Sequence, residues 1–184
     1  AGRFGALVVG PGLGRSAETV EQVRQLVAGW DGPCVIDGDG LVALGRDQAV
    51  VLGGRPAAVL TPHDGEFEAL TGSTPGPDRI EAARSLANEL GAVVLLKGPT
   101  TVVADPRGNV RIVTTGDARL ATAGTGDVLS GVVGALLAQG MSPLDAAAAG
   151  AWLHGRAAAH GPHHGLTAGD LPDLLVSALD EVLP

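Results

Sequence analysis

Aromatic residues are scarce in this sequence: they make up 2% of its 184 positions, and tyrosine is absent. Positive charge is also scarce, because 20 acidic residues outnumber 12 basic ones and give a formal net charge of -8. Proteins that bind single-stranded nucleic acids stack bases on aromatic side chains, and nucleic-acid binding in general depends on positive charge. We therefore expect no nucleic-acid partner.

Cysteine is limited to Cys34, so the chain cannot form an internal disulfide. The sequence also lacks an apolar run of the roughly 18 residues that a membrane-spanning helix requires. Residues 1–5 do not follow the charged-then-apolar order of a secretion signal. These absences predict a protein of the cytoplasm with no membrane partner. The chain length predicts a single domain over residues 1–184.

Glycine (29 residues) and proline (12 residues) are abundant, and they separate apolar segments instead of forming a low-complexity stretch. Nearly continuous apolar strands alternate with helical patterns, which is typical of an α/β fold. We expect a mainly parallel central sheet with helices on both faces. The predicted strands are 6–9, 34–37, 57–61 and 92–97, followed by a hairpin of 101–104 and 110–114. The first predicted helix begins after Ser16. Four more are predicted over residues 79–90, 127–139, 143–159 and 169–183.

Polar or glycine-rich segments follow the first four predicted strands. They begin at Gly10, Asp37, His63 and Lys97, and Lys97 is the only lysine in the chain. Since active sites in such folds lie beyond the carboxyl ends of the strands, we expect these segments to meet at one site. Each segment also has a simpler interpretation, as a plain turn or, for Lys97, as a solvated residue at a strand end.

The segment from Gly124 to Asp127 stands where a loop becomes a helix. Free backbone N–H groups and the positive end of the helix favour an anion there, most simply a phosphate. The carboxylate of Asp127 could take a proton from a hydroxyl group that faces this phosphate. The alternative is that Asp127 only caps the helix, beside flexible neighbours.

Residues 63–66 place one imidazole and two carboxylates close together in the sequence. Such a group could bind a metal, orient a phosphate or hold a sugar hydroxyl. A closed zinc site needs more ligands, whereas Mg²⁺ binding by Glu66 through water is compatible with the segment. The alternative is that Asp64 caps a surface helix. His154, His160, His163 and His164 have no spacing that separates a ligand site from a polar surface.

Five segments, taken in order, resemble the ADP-dependent (S)-NAD(P)H-hydrate dehydratases. They are V-G-P-G-L-G from Val9, D-G-D-G-L from Asp37, L-T-P-H-D-G-E from Leu60, K-G-P-T-T from Lys97 and A-T-A-G-T-G-D-V-L-S-G from Ala121. Each segment is modest evidence alone, but five in this order are specific and cover nearly the whole chain.

The resemblance implies a three-layer ribokinase-like fold and removal of water from hydrated NADH or NADPH. ADP would be the co-substrate, with ATP as the alternative, and would yield AMP and phosphate with Mg²⁺ present. A homo-oligomer such as a tetramer is expected. Family domains carry strands before the G-P-G-L-G turn, so this chain is expected to be N-terminally short. The alternatives are a hydroxymethylpyrimidine or hydroxyethylthiazole kinase of the same fold, or a non-catalytic nucleotide-binding fragment.

The resemblance also assigns roles to individual residues. Asp127 is expected to be the catalytic base and to contact the substrate, and Glu66 is the candidate Mg²⁺ ligand. The hydrate is expected to contact Gly12 or Gly14 and His63. The residues expected to bind the nucleotide are Lys97, Gly98, Pro99, Thr100, Thr101, Gly124, Thr125 and Gly126.

Overall fold

A computed structural model describes residues 4–55 and 57–182, with Asp47 and Val50 described by their backbone alone. The strands are β1 (Leu7–Val9), β2 (Cys34–Ile36), β3 (Ala58–Leu60), β4 (Val93–Leu96), β5 (Thr101–Ala104) and β6 (Val110–Val113). Within the described residues they form one sheet in chain order. Strands β1 to β4 run parallel, and β5 and β6 pair antiparallel. The expected mainly parallel sheet and its terminal hairpin are confirmed.

Helices cover both faces of the sheet. They are α1 (Ala17–Gly29), α2 (Asp39–Leu44), α3 (Gln48–Leu52), α4 (Asp64–Thr71), α5 (Arg79–Leu90), α6 (Thr125–Ala138), α7 (Pro143–His160) and α8 (Leu171–Asp180). Helices α1 to α5 share a core with one face of the sheet, and α6 and α7 share a core with the other. Helix α8 packs outside, against α7.

The strand β2 illustrates why the sheet is buried on both sides. Cys34 and Ile36 belong to the core beneath α1 to α5, whereas Val35 between them belongs to the core beneath α6 and α7. Since successive side chains of a strand point to opposite faces, a strand covered on both faces must be apolar throughout. This requirement explains the continuous apolar runs in the sequence.

Several helix ends follow the signals in the sequence. Ser16, Asp78 and Ser142 each accept a hydrogen bond from a backbone amide at the start of α1, α5 and α7. Gly91 ends α5 in a left-handed conformation with φ of 63°, which glycine adopts at little cost. None of the described helices is both long and apolar enough to span a bilayer.

Other boundaries differ from the prediction. Helix α6 begins at Thr125, two residues before the predicted start, because Gly124 makes the turn into the helix with φ of 87°. Helix α8 begins at Leu171, since residues 168–170 form a 3-10 turn, and its predicted end at Leu183 lies outside the described residues. Helices α2 and α3 were not predicted, and α4 was expected only in the alternative interpretation of residues 63–66, because each of the three has eight residues or fewer and shows little periodicity.

Helix α7 lies directly on the backbone that follows β6. A Cβ atom added at Gly155 would lie 2.5 Å from the carbonyl carbon and from Oγ1 of Thr115. The Thr115 hydroxyl in turn donates a hydrogen bond to the Trp152 carbonyl at 3.2 Å. The contact therefore depends on the missing side chain of Gly155.

We predict that Gly155→Ala lowers the free energy of unfolding by about 1–3 kcal/mol, the usual effect of overpacking a tight contact. Gly131→Ala is the matched control, because Gly131 lies exposed on α6 and an added Cβ meets nothing within 4 Å. In the control the free energy of unfolding should rise by about 0.5–1 kcal/mol, because alanine has a better helix propensity than glycine. Urea denaturation measures both variants, and similar changes in the two would contradict the prediction.

Candidate active site

The four segments that follow β1 to β4 lie at one edge of the sheet. Because these strands are parallel, their carboxyl ends point to the same side. The glycine turn from Gly10, the carboxylate of Asp37, the start of α4 at His63 and the side chain of Lys97 therefore meet there. The first turn of α6 closes the site from the other face of the sheet.

Lys97 and Asp37 form an ion pair at the centre of this edge. The ammonium Nζ donates a hydrogen bond to Asp37 Oδ1 at 2.9 Å, and the Asp37 side chain is 3% exposed. The hydroxyl of Ser130, fully buried in α6, donates to Asp37 Oδ2 at 2.7 Å. Both carboxylate oxygens of Asp37 thus have partners, as a buried charge requires. The pair links β2, β4 and α6.

His63 and Glu66 form a capping box at the start of α4. Nδ1 of His63 accepts hydrogen bonds from the amides of Gly65 and Glu66, and Glu66 Oε2 accepts one from the His63 amide. His63 is therefore the helix cap, and the alternative that Asp64 caps this helix is wrong. Because Nδ1 is an acceptor, a neutral His63 carries its proton on Nε2, which lies near Glu66 Oε1 in a largely exposed side chain.

Glu66 also faces the central ion pair. Its Oε2 lies 3.4 Å from Lys97 Nζ, and its Oε1 lies 3.5 Å from His63 Nε2. The ammonium of Lys97 consequently sits between two carboxylates. The described residues contain no group of three or more His, Cys, Asp or Glu side chains placed to hold a metal ion.

The segment from Lys97 to Thr101 is held by hydrogen bonds to the loop after β3 and to the start of α5. The Lys97 amide donates to the Pro62 carbonyl at 2.8 Å, and Arg79 donates to the Lys97 carbonyl at 2.7 Å. Arg79 also pairs with Asp64 at 2.8 Å. Gly98 and Pro99 are exposed, Thr100 is half-buried and Thr101 begins β5. The backbone of this segment is thus held in place while Gly98 and Pro99 remain accessible.

The glycine turn after β1 packs against the segment after β2. Gly10 has φ of 129°, and a Cβ atom there would lie 1.7 Å from the Asp37 carbonyl oxygen, so only glycine fits. Gly12 and Gly14 also have positive φ, but an added Cβ meets nothing within 4 Å at either position. Gly10 therefore serves packing, whereas Gly12 and Gly14 face open space.

Asp39 fastens the far end of this turn. Its carboxylate accepts hydrogen bonds from the Arg15 side chain at 2.6 Å and from the Gly14 amide at 2.9 Å. The hydrogen bond from Arg15, followed by that from Gly14, lowers the pKa of Asp39. The turn is thus held in one conformation from both ends.

The start of α6 presents free backbone amides to the site. Within residues 4–55 and 57–182, the N–H groups of Gly124 and Gly126 have no hydrogen-bond acceptor. A Cβ atom added at Gly126 would lie 3.5 Å from Lys97 Nζ and 3.7 Å from Asp37 Oδ2. The Thr125 hydroxyl instead donates back to the Leu120 and Thr122 carbonyls. The ammonium group of Lys97 therefore lies close to a helix start at which two backbone amides have no partner among the described residues.

Asp127 lies in the first turn of α6 with its side chain exposed. Gly124 is the residue that caps the helix, so the alternative that Asp127 serves as the cap is wrong. The Asp127 carboxylate makes no hydrogen bond or ion pair within the described part of the chain. It is therefore accessible from solvent.

His154 of α7 is buried behind the start of α6. Only 6% of its surface is exposed, and its Nε2 atom has no hydrogen-bond partner among the described residues. Burial is the main cause that lowers the pKa of His154 to about 4; the charge of Lys97 acts in the same direction, and a backbone hydrogen bond with Thr125 opposes the shift. The imidazole is therefore neutral near pH 7.

A family model described as NAD(P)H-hydrate dehydratase matches residues 1–181 of the chain. The chain belongs to the NAD(P)H-hydrate dehydratase family. The bifunctional NAD(P)H-hydrate repair enzyme Nnr of Moorella thermoacetica is 46% identical over 176 residues, which cover 92% of this chain and 33% of that protein. The ADP-dependent (S)-NAD(P)H-hydrate dehydratase of Neisseria meningitidis is 43% identical over 159 residues, which cover 83% of this chain and 54% of that one.

A solved structure of the same family has the same fold. It is the ADP/ATP-dependent NAD(P)H-hydrate dehydratase of Bacillus subtilis, co-crystallised with ATP and Mg²⁺. Its TM-score to this chain is 0.81 at 33% identity, over 96% of this chain and 64% of the other. The family and fold expected from the five segments are confirmed. The chain spans about a third of the length of the bifunctional relatives.

Three residues around this edge of the sheet have no distinct signal in the sequence. Asp37 belongs to a turn-like segment at a strand end, Ser130 belongs to the segment that begins at Ala121, and His154 is one of several histidines without the spacing of a ligand site. Ser130 follows Gly126 by four positions, a spacing that places both on one face of α6. His154 interrupts an otherwise apolar stripe that includes Ala151 and Ala158, so periodicity could have identified it as buried.

The neutral state of His154 predicts a pH dependence of stability. Below its ordinary pKa of 6.5 the unfolded chain binds a proton at this residue, whereas the folded chain does so only near pH 4. The contribution of neutral His154 to the free energy of unfolding is therefore fully present above pH 6.5 and is lost as the pH falls towards 4. We expect a loss on the order of 3 kcal/mol between these limits.

Urea denaturation between pH 4.5 and 7.5, about the range in which histidine titrates, tests this prediction. In His154→Gln the acid-dependent loss of stability should be smaller than in the unmodified chain. His164→Gln, which changes an exposed histidine, should keep the full loss. Parallel stability curves for the unmodified chain and His154→Gln would show that His154 does not cause the effect.

Proposed function

We propose that this chain is the catalytic part of an ADP-dependent (S)-NAD(P)H-hydrate dehydratase. It would remove water from the S epimer of hydrated NADH or NADPH and convert ADP to AMP and phosphate. The observation that carries the proposal is the start of α6, where the amides of Gly124 and Gly126 have no acceptor among the described residues, Gly126 lies beside Lys97 and the carboxylate of Asp127 is exposed. Family membership and the dependence on ADP in the name of the Neisseria relative support it further.

The proposed chemistry makes a poor leaving group into a good one. Hydroxide leaves a carbon atom reluctantly, but phosphate leaves readily. Asp127 accepts the proton of the ring hydroxyl group while the oxygen of that hydroxyl group attacks the terminal phosphorus of ADP. The bond between the two phosphates breaks, and AMP departs. The new phosphate ester then leaves with the C–O bonding electrons, and loss of a proton from the adjacent ring carbon restores the reduced nicotinamide.

The nucleotide is proposed to bind between α6 and the segment after β4. The amides of Gly124 and Gly126 would hold the phosphoryl group that is transferred, since fixed donors stabilise developing negative charge. Thr125 would contribute by holding the turn, because its hydroxyl is already occupied by the preceding loop. The remaining contacts are proposed for residues 97–101, whose backbone is fixed by Arg79 and Pro62.

The hydrate is proposed to bind on the opposite side of Asp127, against the glycine turn. Gly12 and Gly14 leave open space above the backbone, which a flat ring or a phosphate can approach closely. His63 would donate a hydrogen bond through Nε2, because Nδ1 is committed to the cap of α4. These residues are polar or small and would orient the substrate without reacting with it.

Magnesium is proposed to accompany the nucleotide. In proteins Mg²⁺ keeps several waters and usually binds one or two carboxylates together with substrate phosphates. One carboxylate beside an anion site fits this preference, and Glu66 would hold the ion through water. When bound, the ion would offset the negative charge of the phosphates.

We also propose that the protein works in the cytoplasm as a homo-oligomer, with a tetramer as the expected form. A single cysteine is compatible with the reducing cytoplasm. Sedimentation velocity tests the assembly, since a single monomer boundary at micromolar concentration would refute it. Cell fractionation tests the location, and recovery with the membrane or the exterior would refute that proposal.

The decisive assay mixes the purified chain with ADP, Mg²⁺ and hydrated NADH. We predict that the absorbance of reduced nicotinamide returns and that Asp127→Asn abolishes turnover while ADP binding is largely kept, because the amide cannot accept the hydroxyl proton. Asp173→Asn is the matched control, since Asp173 is an exposed carboxylate in the first turn of α8. No return of absorbance with the unmodified chain would refute the dehydratase proposal, and near-normal turnover in Asp127→Asn would remove Asp127 from its role.

A second variant tests the anion site itself. We predict that Gly126→Ala weakens ADP binding by about tenfold or more, which corresponds to at least about 1.4 kcal/mol. The added methyl group makes only ordinary contacts with Lys97 and Asp37 and leaves the fold intact, but it occupies the space above the ammonium group. Gly131→Ala on the same helix should bind ADP normally. Calorimetric titration compares the two, and equal affinities would place the phosphates elsewhere.

A further inference from the structure

We propose that Asp37 is a positioning residue of the nucleotide site and acts through the ammonium group of Lys97. The inference rests on the nucleotide site proposed above. Neither the five-segment resemblance nor the chemistry of phosphoryl transfer assigns a role to Asp37. Its contacts, burial and charge carry the inference.

Lys97 has two carboxylate neighbours that compete for its ammonium group. Asp37 Oδ1 lies at 2.9 Å from Nζ and Glu66 Oε2 at 3.4 Å. The position of Nζ therefore depends on the balance between them. Without the negative charge at Asp37, the ammonium is free to move towards Glu66 and away from the start of α6.

The pair with Asp37 keeps the ammonium beneath the helix start. Nζ lies 3.5 Å from the position that a Cβ atom would take at Gly126. An ammonium group has three donors, and the described residues provide carboxylate partners for only two of them. The Lys97 side chain is 21% exposed, so its third N–H remains accessible to an anion.

Asp37 is itself held rigidly. Its carboxylate is almost fully buried and accepts the hydrogen bond from Ser130, four residues along α6 from Gly126. The Asp37 carbonyl is fixed by the close approach of Gly10. Asp37 therefore sets the distance between the ammonium group and the amides of α6. A buried ion pair is weak evidence for stability, but it can fix a geometry.

The single lysine permits a direct measurement. Labelling with [¹⁵N]lysine gives one side-chain ammonium signal in NMR, because Lys97 is the only lysine. In the unmodified chain we expect a protected signal that shifts when ADP is added. In Asp37→Asn the signal should broaden by solvent exchange or move, and ADP affinity should fall about tenfold, the loss of one charged hydrogen bond.

A double-mutant cycle separates positioning from a general effect on the fold. If Asp37 acts through Lys97, Asp37→Asn changes ADP affinity in the unmodified chain and has no further effect in Lys97→Met. If Asp37→Asn does not fold, Ser130→Ala takes its place in the cycle. That substitution keeps the charge of Asp37 and removes one of its hydrogen bonds. Asp145→Asn, at an exposed ion pair with Arg111, is the control and should leave the signal unchanged.

Two results would overturn the inference. One is an unchanged Lys97 signal in Asp37→Asn and in Ser130→Ala. The other is that Asp37→Asn lowers ADP affinity by the same factor in the unmodified chain and in Lys97→Met. A Lys97 signal in the unmodified chain that does not respond to ADP would instead refute the proposed nucleotide site. The two failures are therefore distinguishable in one set of samples.

Discussion

The ion pair between Lys97 and Asp37 connects the parts from which the candidate site is built. It joins the ends of β2 and β4 across the end of β3, and Ser130 extends it to α6. Three elements that are remote in sequence thus share one hydrogen-bonded group in the interior. The arrangement of the glycine turn, the capping box and the helix start around a common surface depends on this connection.

Electrostatics at the site differ from those of the chain as a whole. The chain is acidic, yet the surface that faces the proposed phosphates is formed by helix amides and the one lysine. Two carboxylates hold the lysine, so much of its charge is balanced before any ligand arrives. In the proposed nucleotide site, backbone dipoles would therefore supply a large part of the attraction for phosphate, without a charge that needs to be buried.

The fold was largely predictable because its signals are local. Apolar strands, capping residues such as Asp78 and Ser142, and the glycine at position 91 each act within a few residues. The short helices α2 and α3 escaped prediction, and α4 was only an alternative, since the stability of such short helices comes from packing against the sheet more than from their own sequence. The candidate site was predictable only in outline. Strand ends indicated its edge, but the partner of Lys97 was set by the register of distant strands.

The capping box at the start of α4 has a consequence for any cation that binds Glu66. The carboxylate of Glu66 already serves the His63 amide, the His63 ring and the Lys97 ammonium. A cation that takes this carboxylate must compete with all three partners. Cation binding and fraying of the first turn of α4 are then linked equilibria. The factor by which fraying changes the cation affinity equals the factor by which the cation changes the equilibrium constant for fraying.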